Sequence, residues 1–278
     1  MTEAIVSYHT RDGKELYYRS WKSDKAVSPC LIFIHGIESH SGWFSEMGEK
    51  LSGLGVEVYA LDRRGSGLNK EGRGDLSDFR LLIQDLDDFL SQEKFKEREY
   101  ILVGLCWGAK TALHFFLSYP EKVSRIIFIT PGFKTRLSVP FLKTIEWLLA
   151  MAFAPQRYLS LPIKPEMFTL EKEYLERIRG DKLRLRRITA SFFRENLRLA
   201  RAINRLEPKK RAFAVPALLF LAEKDEILDN SAVVMFLKKY FKNLRVISYP
   251  GSRHGLFFEP KKEELVADLV NWVKVSRN

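Results

Sequence analysis

Hydrophobic positions along this chain fall into two patterns. Cys30–Ile34, Val56–Leu61, Tyr100–Val103, Val123–Ile129 and Ala217–Ala222 are short unbroken apolar runs, as expected of strands covered on both faces. Asp78–Phe95 instead places Phe79, Leu82, Ile83, Leu86, Phe89 and Leu90 at helical spacing, which predicts an amphipathic helix. Further helices are expected over Trp43–Leu54, directly after Gly108, and over Ser231–Phe241 and Lys262–Val275, with a last strand at Arg245–Tyr249. Two β-patterned runs, Ile5–Tyr8 and Leu16–Trp21, flank Arg11-Asp12-Gly13-Lys14, a hairpin signal. Strand and helix alternate, which predicts an α/β fold with a mostly parallel sheet between helices. The loops at the carboxyl ends of the strands are then the candidate functional segments. They are His35–Gly42, Asp62–Asn69, Cys106–Gly108, Pro131–Lys134, Glu223–Asp225 and Pro250–Gly255.

The alternation stops between Phe133 and Arg211. Val139–Ala154 and Leu170–Leu206 read as helices joined by the proline-containing stretch Pro155–Pro165, and no strand is evident. The expectation is a core made of residues 1–132 and 212–278, with a helical cap, 133–211, inserted in it. The net charge of +11 changes this picture, because about nineteen Lys/Arg against about eight Asp/Glu lie in the cap and the rest of the chain is close to neutral. A basic, amphipathic cap suits contact with an anionic membrane, or binding of an anionic headgroup or phosphate-bearing carrier. The charge comes with no nucleic-acid recognition motif. The two cysteines, Cys30 and Cys106, have no metal-ligand spacing; this points away from a disulfide framework or zinc site and toward a reducing compartment. With no signal-peptide pattern and no apolar run near the ~20 residues of a membrane span, the expected location is cytoplasmic, with peripheral membrane contact through the cap. Nothing in the pattern calls for a cofactor, and oligomeric state is not readable.

The chemistry concentrates at Tyr100–Leu117, YILVGLCWGAKTALHFFL. A strand, a tight turn and a helix follow one another there. Gly104-Leu105-Cys106-Trp107-Gly108 has the spacing of a G-x-S-x-G nucleophile elbow with cysteine in place of serine. Small residues two before and two after the nucleophile let it occupy a strained turn, facing the first amides of the helix. The alternative is a buried cysteine in an ordinary strand-to-helix turn. A nucleophile needs a base and an orienting acid. The ends of the later strands supply Asp225 and His254, in the chain order nucleophile, acid, histidine.

These motifs, taken together, resemble an α/β-hydrolase of the monoacylglycerol lipase and lysophospholipase type over nearly the whole chain. His35-Gly36-Ile37 with Ser39–Trp43 is similar to that family's oxyanion loop. Asp62-x-Arg64-Gly65-x-Gly67-x-Asn69 is similar to its D-x-R-G-x-G-x-S loop, Ala222–Asp225 to its G-x-x-D, and Gly251–His254 to its G-x-x-H. The resemblance implies a triad of Cys106 as nucleophile, His254 as base and then acid, and Asp225 as orienting carboxylate. It also implies an oxyanion hole made by the backbone N–H groups of Ile37 and Trp107, and no cofactor or metal. Glu223, Glu226 and Asp229 compete with Asp225 for the acid's place. His35, His40, Asp62 and Arg64 are expected to brace loops.

The implied activity is hydrolysis of a carboxylic ester, or thioester, of a hydrophobic acyl substrate. Cysteine at the elbow is either natural or an engineered replacement of serine. It favours thioesters, activated esters, lactones or acyl transfer through a thioester enzyme. The alternatives are therefore an acyltransferase, synthase or thioesterase, and, outside enzymes, a lipid-binding hydrolase-fold protein. Phe141, Leu142, Trp147, Leu148, Met151 and Phe153 are expected to line or cover the acyl channel, or to pack within the cap.

Overall fold

The computed structural model describes residues 3–24, 29–96, 98–208 and 212–275. The chain begins with β1 (Glu3–His9) and β2 (Glu15–Trp21), then β3 (Cys30–Ile34), α1 (Ser45–Gly53), β4 (Val58–Leu61) and α2 (Arg80–Leu90). It continues through β5 (Tyr100–Leu105), α3 (Gly108–Ser118), β6 (Arg125–Ile129) and α4 (Phe141–Phe153). Next come β7 (Tyr158–Ser160), α5 (Lys172–Gly180), β8 (Arg187–Thr189) and α6 (Ala190–Arg205). The last elements are β9 (Ala217–Ala222), α7 (Asn230–Lys238), β10 (Leu244–Tyr249) and α8 (Lys262–Val275). One eight-stranded sheet has the order β1-β2-β4-β3-β5-β6-β9-β10. Only the β1–β2 and β2–β4 pairings in it are antiparallel. This is the α/β-hydrolase fold.

Unbroken apolar strands follow from the two cores. Leu31, Phe33, Ile101, Val103, Leu218 and Phe220 pack with residues of α1 and α8 on one face. Their neighbours Cys30, Ile32, Ile34, Leu102, Leu219 and Leu221 pack with α2, α3 and α7 on the other. Alternate side chains point to opposite faces, so a strand covered on both sides has to be apolar throughout. Burial pushes the Cys30 thiol up to about 12, so Cys30 is an inert core residue, as its place in a strand suggests.

The segment between β6 and β9 departs from expectation in two ways. It contains a two-stranded antiparallel ribbon, β7–β8, where no strand was evident. Each strand is three residues long with one buried apolar side chain, Leu159 or Ile188, which is too short for alternation to register. The helix expected over Leu170–Leu206 is also two helices, α5 and α6. Asp181 interrupts it, accepting hydrogen bonds from Trp43 Nε1 (2.7 Å) and the Leu183 amide (2.8 Å) and pairing with His40 Nε2 (2.9 Å). Thr189 then caps α6 by accepting from the Phe192 amide at 3.0 Å. Tertiary partners outweigh helix propensity here. The expected boundary at residue 211 falls outside the described residues. Among the described residues no helix is long and apolar enough to cross a membrane.

Candidate active site

β5 runs directly into α3, and Cys106 sits between them at φ +48°. This left-handed conformation is strained for a residue with a Cβ, and several contacts hold it. The Cys106 amide donates to the Ile129 carbonyl at 3.1 Å, and its own carbonyl accepts from Gly132 N (2.7 Å) and Ala109 N (3.2 Å). Gly104 and Gly108 are small for the expected reason. A Cβ on Gly104 would lie 2.6 Å from the Ala109 Cα, and one on Gly108 only 2.3 Å from the Ile34 carbonyl oxygen. Cys106 is partly exposed and lines a narrow cleft together with Gly36, Ile37, Glu38, Phe168, His254 and Phe258. A larger groove of about 1400 Å³ between β2 and the 64–81 segment contains none of the triad candidates.

Asp225 and His254 meet across the ends of β9 and β10. Asp225 Oδ2 lies 2.7 Å from His254 Nδ1, and Asp225 Oδ1 accepts from the amides of Ile227 (2.8 Å) and Leu228 (3.0 Å). Both side chains are buried. The three competing carboxylates are occupied elsewhere: Glu223 accepts from Gly251 N, Glu226 pairs with Arg253, and Asp229 caps α7. Of these four carboxylates, Asp225 is the one that pairs with His254. The other imidazole nitrogen, Nε2, is buried and has no partner among the described residues other than the Cys106 sulfur.

Burial works against a charged His254, but the Asp225 carboxylate and the Cys106 sulfur outweigh it and raise the imidazole to about 10. The folded value thus lies above the ~6.5 of an unfolded chain. Stability from this group is complete below pH ~6.5 and is lost as pH rises toward the folded value. The urea midpoint of the wild-type protein should fall across that alkaline window, and His254→Gln should remove most of the slope. An equal slope in both proteins would contradict the assignment.

The loop residues take structural places. Asp62 accepts from Ser41 N (2.6 Å) and Leu68 N (2.9 Å), and Arg64 is forked onto Asp85 and Asp12. His40 accepts from Gly42 N and pairs with Asp181. The amides of Ile37 and Trp107 have no backbone acceptor among the described residues, which leaves them available to a ligand. Three features here were not anticipated from the sequence. Thr130, at φ +39°, donates its hydroxyl to the His254 carbonyl at 3.1 Å. Glu38 and Arg184 form a buried ion pair between the loop after β3 and the segment before β8. Arg63 is half-buried against the same loop. The only signal for the last two was a charged residue beside a motif at a strand end.

The apolar residues of α4 are not at this cleft. Phe141, Leu142, Leu148 and Phe153 are largely exposed, with Phe153 at 83%. Trp147 is buried with Ala150, Leu159 and Ala190 in a small separate cluster against which Met151 packs. The cleft's apolar lining includes Ile163, Phe168, Phe257 and Phe258.

Comparison with known proteins agrees with the fold. The chain is 25% identical over 275 residues to human monoglyceride lipase, covering 94% of this chain and 88% of that one. It also aligns with 29% of the length of an uncharacterized abhydrolase domain-containing protein of Dictyostelium discoideum, at 24% identity over 99% of this chain. A soluble variant of monoglyceride lipase from Saccharomyces cerevisiae, solved in complex with a substrate analog, superposes with a TM-score of 0.83 at 19% identity, covering 99% of this chain and 96% of that one. The model of the serine aminopeptidase S33 family matches residues 25–261. Carrying cysteine at its elbow, the chain belongs to that family of α/β-hydrolases.

Proposed function

We propose that this protein hydrolyses carboxylic esters or thioesters of hydrophobic acyl groups, through an acyl-enzyme on Cys106. The carrying observation is the buried Asp225–His254 pair, whose imidazole lines the same cleft as a cysteine held at positive φ and interacts with its sulfur. Similarity to monoglyceride lipases supports a lipid ester as substrate. The family's aminopeptidase label is supported less well. An amino-terminal ammonium needs a free carboxylate, and the cleft's Glu38 is already committed to Arg184.

Cys106 gives its thiol proton to His254 and its sulfur adds to the carbonyl carbon, and the π electrons move onto oxygen, which accepts from the Ile37 and Trp107 amides. Collapse must expel an alkoxide rather than the better-leaving thiolate. A histidine that already holds a proton answers this difficulty, because the imidazolium can transfer it to the alkoxide as the C–O bond breaks. Neutral His254 then takes a proton from water, hydroxide adds to the thioester carbonyl, and collapse returns the carboxylate product and free Cys106. Asp225 orients the ring throughout. Thioesters, whose leaving group needs no protonation, should react fastest.

The segment 133–211 serves in this reading as the cap. Its exposed apolar α4 side chains, beside its excess of basic residues, support contact with an anionic membrane. The test is turnover of an alkyl ester and the matching thioester, with products analysed in water and with an added alcohol or thiol. The expected result is free acid in every case, with the thioester preferred. Predominant transfer to the added acceptor would favour an acyltransferase. Absence of turnover would favour a lipid-binding protein.

A further inference from the structure

Arg63 is half-buried, with its Nε shielded from solvent and without a hydrogen-bond partner, and it forms no salt bridge among the described residues. The carboxylate beside it in sequence, Asp62, is taken up by the amides of Ser41 and Leu68. The guanidinium instead donates Nη1–H to the Gly36 carbonyl (2.7 Å) and Nη2–H to the Ile37 carbonyl (2.5 Å). Its plane lies near the rings of Trp107 and Phe192, at 5.2 and 5.4 Å from their centroids. The guanidinium is thus spent on two successive carbonyls of one loop rather than on a carboxylate, an arrangement that calls for an explanation beyond packing.

The peptide that Arg63 grips supplies one. The Gly36 carbonyl and the Ile37 N–H belong to one peptide unit and, in the trans form, point in opposite directions. Arg63 and His35 occupy the carbonyl side. His35 Nε2 accepts from the Arg63 amide (3.2 Å), which leaves the proton on Nδ1 to donate to the same Gly36 oxygen at 2.7 Å. Burial and the Arg63 charge hold His35 in this neutral form. The carbonyl thus receives two donors, one of them cationic, and the N–H of the same unit points away from them. Gly36 itself lies against the nucleophile, since a Cβ there would be 3.1 Å from the Cys106 Cβ.

We infer that Arg63 is a positioning residue, which aims the Ile37 N–H at the developing oxyanion and polarises its peptide so that it donates more strongly. The inference rests on the acyl-transfer reading above. The cation touches no substrate atom; it acts through the peptide.

The test separates steps that build an oxyanion from one that does not. Addition of Cys106 to an alkyl aldehyde forms a C–S bond and places the carbonyl electron pair on oxygen, to be protonated by the His254 imidazolium. Alkylation by iodoacetamide forms a C–S bond, expels iodide and builds no oxyanion. Arg63→Gln should lower kcat for a short-chain ester by about 100-fold with KM nearly unchanged. It should weaken aldehyde inhibition to a similar extent and leave the alkylation rate of Cys106 within about threefold of wild type. Arg63→Lys, which keeps the charge and one donor, should lie between and serves if the glutamine variant does not fold. A parallel fall in alkylation and ester turnover, or no change in aldehyde affinity in a folded variant, would overturn the inference. Failure of the acyl-transfer reading would look different, because wild-type protein would then show neither turnover nor aldehyde inhibition.

Discussion

Replacing His254 with alanine should lower kcat/KM for an alkyl ester by about 10³- to 10⁴-fold while leaving the protein folded. The size of the effect follows from the two jobs the ring performs. It supplies the proton that lets an alkoxide leave in preference to the sulfur, and it later activates water. Thioester turnover should fall less, because the first of these jobs is unnecessary when the leaving group is a thiolate. The ratio of the two losses is therefore more informative than either alone. Equal losses for ester and thioester would mean that leaving-group protonation is not what His254 contributes. Asp225→Asn should show the same ordering with a smaller loss, since it disturbs the ring's orientation and protonation rather than removing it.

The second large effect concerns the fold on which the site depends. Gly108→Ala is expected to destabilise the protein by roughly 3–5 kcal/mol, at the severe end for one substitution. The added Cβ would sit 2.3 Å from the Ile34 oxygen and 2.4 Å from the His35 oxygen. Neither is a flexible side-chain tip. Both are backbone atoms at the end of β3, and Ile34 is paired with Gly104 of β5 and Leu61 of β4. Relief would require moving the elbow, the central strand or the oxyanion loop. Chemical denaturation monitored by tryptophan fluorescence should show the loss. Gly13→Ala, at φ +78° with open space around its Cβ position, should cost far less, on the order of 1 kcal/mol. Similar losses at both positions would show that the tight approach at Gly108 is unimportant.

The legible parts of this molecule are those in which one local pattern has one structural outcome. Five-residue apolar runs such as Cys30–Ile34 can be satisfied only between two covering layers, so the order of strands and helices could be read directly. Positions that force a backbone shape were equally clear: glycines around Cys106, and turns after β9 and β10 that deliver Asp225 and His254. What the sequence concealed depends on partners far along the chain. Asp181 ends a helix because Trp43 and His40 wait for it, and nothing near Asp181 announces them. The apolar side chains of α4 looked like a channel lining because helical spacing shows which residues share a face and not what that face meets. Arg63 was overlooked beside Arg64, although only Arg64 finds carboxylates and Arg63 turns to the Gly36 and Ile37 carbonyls.

The Glu38–Arg184 pair adds a constraint of the same long-range kind. It ties the loop bearing Ile37 to the segment before β8, and the Leu185 amide donates to the Glu38 carbonyl at 2.9 Å. The loop is thus held by two arginines, Arg63 through the Gly36 and Ile37 carbonyls and Arg184 through Glu38. Removing one partner of a buried pair leaves the other charge unsatisfied. Arg184→Met should therefore lower both stability and ester turnover, whereas Arg63→Gln should act mainly on kcat.

The central claim is a covalent acyl-enzyme on Cys106, and intact-protein mass spectrometry after millisecond quenching tests it most directly. Wild-type protein mixed with an activated acyl ester should gain the mass of one acyl group, located by peptide mapping to Cys106 and released by neutral hydroxylamine. Cys106→Ala should gain none and should not turn the ester over. Turnover by Cys106→Ala at the wild-type rate, or an acyl group carried on a different residue, would contradict the account.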